Sequence, residues 1–254
     1  MRVLLFGATG YLGRFLANHL LEEGHRVTSC VRKPDVPGPS YPCVVWDLAT
    51  GTPPEIASHD AAIYCAQSRH YKGDIDRGDV VAVNVLGVAR AAELCARIGV
   101  SRFVLISTGS VYGTADAPLS ELSPLAGQGP YAVSKRMGEE VLRLFDDDFE
   151  SVILRLFALY GPGQLQRMVP EIVSRVARRD PVTLQPRHPG EAETRGLHVS
   201  LFNVQDAVKV VAASLSRLRP GTYNAGEGHP TSVAEIAEVA AGILGVEARF
   251  ETRG

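Results

Sequence analysis

The sequence of 254 residues predicts an α/β protein built on a doubly wound parallel sheet. Two observations support this fold class. The strand candidates are continuous apolar runs without polar alternation, which is typical of strands that helices cover on both faces. Segments with helical spacing of apolar residues follow these runs in turn, as in a parallel sheet whose crossovers are helices. A chain of this length with 45% hydrophobic residues can also bury a substantial core.

The strongest alternation lies in the first part of the chain. Apolar strands are predicted at 2–6, 26–31, 43–46, 61–65, 102–107 and 151–157, all of them buried. Helices are predicted at 11–24, 80–99 and 131–145, and the first of these ends at a glycine. Residues 1–163 are therefore expected to form one domain that contains this sheet.

The pattern loosens in the remaining part of the chain. Helices are predicted at 165–178, 205–217 and 231–244, with short strands near 182, 202 and 222, and several prolines interrupt them. This part is too small and broken for a large core of its own. We expect residues 164–254 to form a small lid, interleaved with the first domain, and a ligand to bind between the two.

Composition and charge exclude several classes of function. The net charge of −2 and the pI near 6.4 predict no basic surface for nucleic acid or for an anionic membrane. No apolar segment approaches the roughly 18 residues that span a bilayer, and we expect a soluble cytoplasmic protein. The acidic run at 146–150 is interpreted as a solvated turn, and no metal site is predicted. No metal-ligand spacing occurs among the cysteines, which we expect to be reduced packing residues: Cys30, Cys43, Cys65 and Cys95.

A glycine-rich turn joins the first predicted strand to the first predicted helix. In "FGATGYLG", Gly7, Gly10 and Gly13 lie where the backbone must turn tightly, approach a pyrophosphate and offer helix N–H groups to it. The alternative is a tight turn without a ligand. In this strand-turn-helix setting the motif predicts a Rossmann-type dinucleotide site, which would also include Thr9, Tyr11 and Leu12.

The end of the second predicted strand bears on which dinucleotide binds. NAD enzymes usually present an acidic residue there, and NADP enzymes an arginine. Here "SCVRKP" provides Arg32 and Lys33, and a guanidinium suits a 2′-phosphate. We therefore predict NADP, with NAD as the alternative and a solvated basic turn as the third interpretation. After the third strand, Asp47 with Leu48 would lie near the adenine, or Asp47 would only cap the next turn.

Tyr131 and Lys135 in "YAVSK" lie four residues apart and share a face if the segment is helical. The preceding strand ends in "ISTGSVYG", which carries Ser107, Thr108 and Ser110 to the carboxyl edge of the sheet, where ligands bind in such folds. Beside a nicotinamide, these segments would bring together a hydroxyl, a phenol and an ammonium. In the alternative, Thr108 only caps a turn and Tyr131 only packs at a helix start.

Taken in order, the motifs resemble those of the extended short-chain dehydrogenase/reductases, the NAD-dependent epimerase/dehydratase family. The resemblance covers nearly the whole chain, through "GATGYLG", "DAAIYCAQS", "ISTGSVYG", "YAVSK", "LRLFALYGPG", "FNVQDAV" and "GTYNAGEGHPTSVAEIAEVA". It implies that Thr108, Tyr131 and Lys135 are catalytic and that the C-terminal lid binds substrate. Tyr131 and Lys135 would also contact the cofactor, and the resemblance adds further contacts at Cys65, Ala66, Gln67, Ser107 and Phe157.

The chemistry of a phenol supports this assignment. A phenol with an ordinary pKa of about 10 is a poor base at neutral pH, so it needs a nearby cation, which Lys135 would supply. Tyr131 would exchange a proton with the substrate oxygen while hydride moves to or from the nicotinamide. Thr108 would hydrogen-bond the same oxygen, and Lys135 would also hold the nicotinamide ribose.

Several positions depart from the family pattern. Dehydratases carry an Asp-Glu pair where this chain has Gly109 and Ser110, so sugar dehydration is not expected. Ala158 replaces an asparagine that helps many relatives to hold a nucleotide sugar. The chain ends soon after residue 250, where relatives run on, which predicts a reduced lid. The candidates for substrate contacts are Gln67, His70 and its neighbour Tyr71, Gly109, Ser110, Ala158 and Arg195. For Arg195, the alternative is an ordinary polar loop without a ligand.

The leading hypothesis is an NAD(P)-dependent enzyme that epimerises or reduces a nucleotide sugar at a secondary alcohol or ketone. Epimerisation usually retains NAD, and net reduction usually exchanges NADPH. The alternatives are an NADPH-dependent reductase of a non-sugar ketone, which Ala158 favours, and a non-catalytic dinucleotide sensor, which the retained Thr, Tyr and Lys disfavour. The resemblance also implies a homodimer through helices 80–99 and 131–145, although their apolar residues could equally pack on the sheet: Val80, Val81 and Val88.

Overall fold

The computed structural model describes residues 1–33, 41–115, 117–186 and 194–252. The chain divides into two compact units. The first unit comprises Met1–Leu156 and Gln205–Ala225, and the second unit comprises Phe157–Val204 and the chain from Gly226 onward. The units are interleaved in sequence, and the first division falls after Leu156, whereas the sequence suggests a division after residue 163.

Strands and helices alternate through the described residues. In chain order the strands are β1 (Arg2–Phe6), β2 (Arg26–Val31), β3 (Cys43–Val45), β4 (Ala61–Tyr64), β5 (Arg102–Thr108), β6 (Glu150–Leu156), β7 (Ala158–Tyr160), β8 (Val182–Leu184), β9 (His198–Asn203), β10 (Gly221–Ala225), β11 (Pro230–Ser232) and β12 (Phe250–Thr252). The helices are α1 (Tyr11–Glu22), α2 (Arg77–Val81), α3 (Gly87–Arg97), α4 (Gly129–Arg143), α5 (Met168–Arg178), α6 (Val204–Ser214) and α7 (Val233–Leu244). A π-helical segment, Ala82–Leu86, joins α2 to α3, and a 3-10 turn, Gly109–Val111, follows β5.

The first unit contains a seven-stranded sheet in the order β10-β6-β5-β4-β1-β2-β3. Every neighbouring pair in it is parallel, which confirms the predicted doubly wound α/β fold. From β1, the chain moves to one side through β2 and β3 and then crosses to the other side through β4, β5 and β6. In open parallel sheets, ligands bind at the carboxyl ends of the strands that flank such a reversal.

Helix α1 shows how apolar spacing produces the packing of the first unit. Leu12, Leu16 and Leu20 recur every four residues and are 8%, 0% and 0% exposed, so they form a covered stripe along the helix. This helix packs on β1 and β2. Large aromatic side chains contribute much of the unit's apolar core, which includes Phe6, Trp46, Tyr64, Phe103 and Phe149.

Two elements of the first unit differ from the predictions. The sequence predicts a buried third strand, but Cys43 and Val45 are exposed because β3 is the edge of the sheet and pairs with β2 alone. The helix predicted from residue 80 begins at Arg77, and the Asp76 carboxylate caps it by accepting the Asp79 N–H at 3.1 Å. The π-helical segment then interrupts a helix that the apolar spacing predicts to be continuous.

The apolar residues considered for a dimer interface have different surroundings. Val80 and Val88 are each 1% exposed and are buried within the first unit, whereas Val81 is 40% exposed. Packing on the unit's own core therefore accounts for two of the three side chains. The homodimer stays a prediction.

Neither a membrane helix nor a metal cluster occurs among the described residues. None of their helices is long and apolar enough to cross a bilayer. In the same ranges, no group of three or more His, Cys, Asp or Glu side chains is arranged to hold a metal ion. The acidic side chains of Asp146, Asp147 and Asp148 are exposed in the turn after α4.

The second unit is built from short strands around α5 and α7, which pack on each other. One sheet has the order β11-β9-β7, with β11 antiparallel and β7 parallel to β9, and β12 pairs with β8 in parallel. Its apolar cluster includes Ile172, Val176, Leu184, Ile236 and Ala240. The predicted short strands near 182 and 202 correspond to β8 and β9. The sequence analysis missed β7, β11 and β12. Strands of three residues carry little readable periodicity, and among those in the described part of this unit β8 alone was predicted.

Candidate functional site

The turn between β1 and α1 is packed backbone against backbone. Gly7 has φ +90°, and a Cβ built on it would lie 2.5 Å from the Ala66 nitrogen. A Cβ built on Gly13 would lie 2.1 Å from the Gly7 carbonyl oxygen. No side chain tolerates such contacts, so both positions require glycine. The carboxyl ends of β1 and β4 therefore come together at the reversal of the sheet.

Helix α1 begins in this turn and is suited to an anion. Gly10 is its N-cap and donates its N–H to the Gly7 carbonyl at 3.0 Å. The first N–H groups of a helix have no partner within it, and the helix dipole adds positive potential there. The first turn carries no acidic side chain. Thr9 and Gly10 are exposed, Tyr11 is partly buried and Leu12 is buried, so an open backbone surface fits a pyrophosphate.

The side chains after β2 and β3 are in different environments. Arg32 and Lys33 directly follow β2 and are exposed, so a phosphate can reach them. The Asp47 carboxylate accepts the Ala49 N–H at 2.9 Å, which is the turn-capping role that the sequence left as an alternative to adenine binding. Leu48 is 9% exposed and belongs to the apolar core of the first unit.

Thr108 ends β5 and shapes the turn that follows it. Its Oγ1 accepts the Ser110 N–H at 3.2 Å and donates to the Ser110 Oγ at 3.2 Å. Thr108 thus caps the 3-10 turn, which leaves Gly109 buried and Ser110 exposed. The hydroxyl of Thr108 lies at the carboxyl edge of the sheet, as its position in the sequence predicts.

Tyr131 and Lys135 lie one turn apart near the start of α4. Pro130 occupies the first turn of this helix, where its missing N–H costs nothing. Lys135 is 5% exposed, and its Nζ donates to the Ile106 carbonyl at 2.5 Å. This hydrogen bond attaches α4 to β5 two residues before Thr108.

Burial brings the pKa of Lys135 close to neutral pH. Burial lowers the pKa of Lys135 from 10.5 to about 8, while Cys65 and Glu139 act in the opposite direction. Burial also raises the pKa of the Cys65 thiol to about 12, and its Sγ donates to the Phe6 carbonyl at 3.1 Å. Both Cys65 and Glu139 thus lie close enough to oppose the effect of burial on Lys135.

A buried ion pair, which the sequence analysis missed, lies one helical turn beyond Lys135. Glu139 is 0% exposed and Arg155 on β6 is 2% exposed, and their closest N···O distance is 2.6 Å. Arg155 also donates to the Tyr112 hydroxyl at 2.7 Å, and that hydroxyl donates to the Asn224 Oδ1 at 2.7 Å. This chain of contacts joins α4, β6 and β10 around the 3-10 turn.

Ser107 is part of the same buried network. Its hydroxyl donates to the Glu139 carboxylate, so the side chain that was predicted to contact a cofactor is engaged within the protein. One signal for the network was present in the sequence. Arg155 interrupts the apolar strand "SVILRLF", and a charge inside a buried strand requires a buried partner. The partner itself cannot be read from the spacing.

The loop after β4 carries the next group of predicted residues. Ala66 is buried, Gln67 is partly buried and His70 is exposed, with its N–H donated to the Ser68 Oγ at 3.0 Å. The Tyr71 ring contacts the Tyr131 ring, with 4.7 Å between the centroids. The first unit therefore contains the glycine turn, the end of β4, Thr108, and the Tyr-Lys pair.

Three predicted residues belong to the second unit. Phe157 and Ala158 are partly buried at the start of this unit. Arg195 donates to the Glu238 carboxylate at 2.7 Å, and both side chains are about half exposed. An ordinary surface ion pair therefore accounts for the position of Arg195 without a ligand.

Comparisons with known proteins identify relatives of this chain. The model of the NAD dependent epimerase/dehydratase family matches residues 3–226. An uncharacterized UDP-glucose epimerase of Bacillus subtilis, YtcB, is 29% identical over 172 residues, which are 66% of this chain and 52% of that protein. A 2-alkyl-3-oxoalkanoate reductase of Stenotrophomonas maltophilia is 30% identical over 189 residues, 69% of this chain and 56% of that protein. The chain thus spans little more than half the length of these two relatives.

Solved structures confirm the fold. The UDP-glucose 4-epimerase of Thermus thermophilus, in a complex with NAD, matches with a TM-score of 0.82 and 26% identity. The match covers 99% of this chain and 86% of that one.

Proposed function

The chain belongs to the NAD-dependent epimerase/dehydratase family, and we propose that it catalyses hydride transfer at a secondary alcohol or ketone of a nucleotide sugar. One arrangement carries this proposal. Tyr131 and the buried Lys135 lie on one helix, and Lys135 is hydrogen-bonded to β5 two residues before Thr108. A phenol, a neighbouring ammonium and a hydroxyl at a sheet edge are the groups that this chemistry requires.

Each of these side chains has a distinct task. Tyr131 takes the proton from the substrate hydroxyl in the oxidative direction and returns it in the reductive direction. The Lys135 ammonium favours the phenolate form of Tyr131, and the Glu139 carboxylate favours the charged form of Lys135. Thr108, with its hydroxyl at the end of β5, hydrogen-bonds the substrate oxygen and fixes its position.

The residues around the glycine turn fit a nicotinamide dinucleotide, which when bound supplies the hydride acceptor or donor. The N-terminus of α1 would hold its pyrophosphate, because Gly7 and Gly13 allow the tight turn and Gly10 is exposed at the N-cap. The remaining contacts that we propose are Thr9, Tyr11, Leu12, Asp47, Leu48, Cys65, Ala66, Gln67, Ser107 and Phe157, with Tyr131 and Lys135 at the nicotinamide end.

We propose NADP as the dinucleotide because Arg32 and Lys33 are exposed directly after β2. The test is to denature the purified protein, identify any released nucleotide, and measure the affinities for NADPH and NADH. Stronger NADPH binding that Arg32→Ala abolishes is the expected result. Tightly held NAD would instead indicate a cofactor that is restored in each cycle, and it would favour an epimerase.

Reduction of a keto sugar consumes one hydride and one proton, whereas epimerisation first oxidises the alcohol and then reduces the resulting ketone from its opposite face, so epimerisation alone leaves the cofactor unchanged overall. Dehydration is disfavoured because Gly109 and Ser110 provide no acid or base beside Thr108. A second candidate is the reduction of a non-sugar ketone. Ala158 favours it, because its methyl group cannot hydrogen-bond a diphosphate sugar, and a 3-oxoalkanoate reductase is among the relatives.

The experiment that tests the proposed function is turnover of UDP- and dTDP-hexoses, with a 3-oxoalkanoate as the non-sugar probe. Tyr131→Phe is expected to abolish turnover while the dinucleotide still binds, because the substitution removes only the proton-carrying hydroxyl. The matched control is Tyr223→Phe, since this hydroxyl donates only to the Arg219 carbonyl in an exposed position. Wild-type turnover by Tyr131→Phe contradicts the proposed mechanism.

A further inference from the structure

The loop after β4 places a second tyrosine against the proposed catalytic tyrosine. The rings of Tyr71 and Tyr131 have centroids 4.7 Å apart, and their planes are inclined by 33°. Aromatic side chains attract each other in such tilted arrangements. The contact therefore restricts the orientation of both rings.

The loop that carries Tyr71 is closed at its base by hydrogen bonds. Ser68 is 2% exposed, donates its N–H to the Asn84 Oδ1 at 3.1 Å and donates its hydroxyl to the Asp79 carboxylate. The His70 N–H donates to the Ser68 Oγ at 3.0 Å, and the Asp76 N–H donates to the His70 carbonyl at 3.1 Å. Residues 68–76 therefore start and end at fixed points.

The same anchor reaches the helix that carries Tyr131. Asn84 lies in the π-helical segment, and its Nδ2 donates to the Ser134 Oγ at 2.9 Å. The Ser134 Oγ in turn donates to the Tyr131 carbonyl at 3.0 Å. The buried Asn84 side chain thus hydrogen-bonds both the base of the loop and the first turn of α4. These bonds fix the distance between the backbones of Tyr71 and Tyr131.

Tyr71 differs from its neighbours in burial. Between Arg69 and Asp76, Tyr71 is partly buried and all the remaining residues are exposed. The Lys72 Nζ lies 5.7 Å from the centroid of the Tyr71 ring, and Ile75 is 45% exposed. Within this loop, Tyr71 is thus the side chain that packs inward, and it packs on Tyr131.

We propose that Tyr71 is a positioning residue that holds the ring of Tyr131 in one orientation and shields one face of it from water. The inference rests on the proposed function, in which Tyr131 exchanges a proton with the substrate. Proton transfer requires the phenol oxygen to stay within hydrogen-bond reach of the reacting oxygen, and a free ring would spend time outside it. The ring of Tyr71 performs this task, so phenylalanine can replace it and alanine cannot.

The first test follows Tyr131 directly by NMR of protein labelled with [13Cζ]tyrosine. Tyr131→Phe identifies its signal among the eight tyrosines. Tyr71→Ala is expected to shift the Tyr131 signal, because it removes the adjacent ring, while Tyr71→Phe and the loop control Ile75→Ala leave it in place. An unshifted Tyr131 signal in Tyr71→Ala overturns the inference. This comparison needs no substrate.

The second test measures kcat, and KM for the dinucleotide, with UDP-glucose as the probe sugar. Tyr71→Ala is expected to lower kcat about tenfold or more with an unchanged KM for the dinucleotide, as expected for a misplaced catalytic group. Tyr71→Phe should retain the wild-type kcat. If Tyr131→Phe abolishes turnover and Tyr71→Ala does not lower it, this inference alone fails. If Tyr131→Phe turns over normally, the proposed function fails, and the NMR comparison still decides whether Tyr71 orients the ring.

Discussion

Two Arg-Glu ion pairs have almost the same length and opposite surroundings. Arg155 and Glu139 in the first unit meet at 2.6 Å with side chains 2% and 0% exposed. Arg195 and Glu238 in the second unit meet at 2.7 Å with side chains 49% and 48% exposed. Water solvates the second pair, whereas the first pair must replace all of its lost hydration with protein contacts.

The difference shows where this chain uses charge to fix geometry. Glu139 also accepts the Ser107 hydroxyl, and Arg155 also donates to the Tyr112 hydroxyl, so the network joins the helix of Lys135 to the strands beside it. A buried pair gives little net stability, but removal of one partner leaves an uncompensated charge. An exposed pair is screened by solvent and salt and can be lost without consequence.

The largest expected effect comes from breaking the buried pair. Glu139→Leu leaves the Arg155 guanidinium buried without a counterion and is expected to lower the free energy of unfolding by about 3–5 kcal/mol. Urea denaturation measures this loss. The double variant Glu139→Leu/Arg155→Met is expected to recover a large part of it, because no charge stays buried. A single variant as stable as the wild type would show that water reaches the pair.

The next effect concerns Lys135, a further buried charge of the first unit. Its folded pKa of about 8 lies below the ordinary 10.5, so the unfolded chain binds the proton more tightly. The contribution of this group to the free energy of unfolding therefore rises with pH between about 8 and 10.5, by on the order of 3 kcal/mol. Urea denaturation at several pH values should show that Lys135→Met lacks this rise. The same ionisation predicts that turnover falls above about pH 8.

A smaller effect is expected at the start of α7 in the second unit. The Ser232 Oγ accepts the Glu235 N–H at 3.1 Å, and the Glu235 carboxylate accepts the Ser232 N–H at 2.7 Å, which forms a capping box. Ser232→Ala is expected to lower the free energy of unfolding by about 1 kcal/mol. The exposed Ser216 provides the control, and a loss of equal size in Ser216→Ala would rule out a specific role of the cap.

The smallest effect is expected for the exposed pair. Arg195→Ala should leave the urea midpoint at physiological salt within the error of measurement, because solvent screens this contact. Glu238→Ala is the matched control and should behave in the same way. A loss comparable with that of Glu139→Leu would mean that burial does not distinguish the two pairs.

The sequence predicts the elements whose signal is local. Helix α1 follows from the spacing of Leu12, Leu16 and Leu20, and the parallel sheet follows from the apolar strands between helices. The glycine turn is also local, because Gly7 and Gly13 are close in sequence and their demands are steric. The π-helical segment Ala82–Leu86 cannot be predicted from the sequence, because its apolar residues still fit the spacing of an ordinary helix.

The parts of the candidate site that sequence analysis missed depend on distant partners. Arg155 indicates a buried charge, but nothing in the spacing shows that Glu139 receives it. The Tyr71–Tyr131 contact joins a loop to a helix across sixty residues of chain. Such pairings are decided by tertiary packing, and periodicity contains no information about them. The catalytic roles of Thr108, Tyr131 and Lys135 stay predictions.

The position of β10 in the sheet has a consequence for synthesis on the ribosome. This strand pairs with β6, yet the whole of Phe157–Val204 is translated between them. Translation at about 5–20 residues per second therefore leaves the outer edge of β6 uncovered for several seconds. That edge belongs to "ESVILRL", whereas the strand that finally covers it is the more polar "GTYNA". An uncovered apolar edge invites pairing with other chains, so β6 is most open to mispairing during this interval.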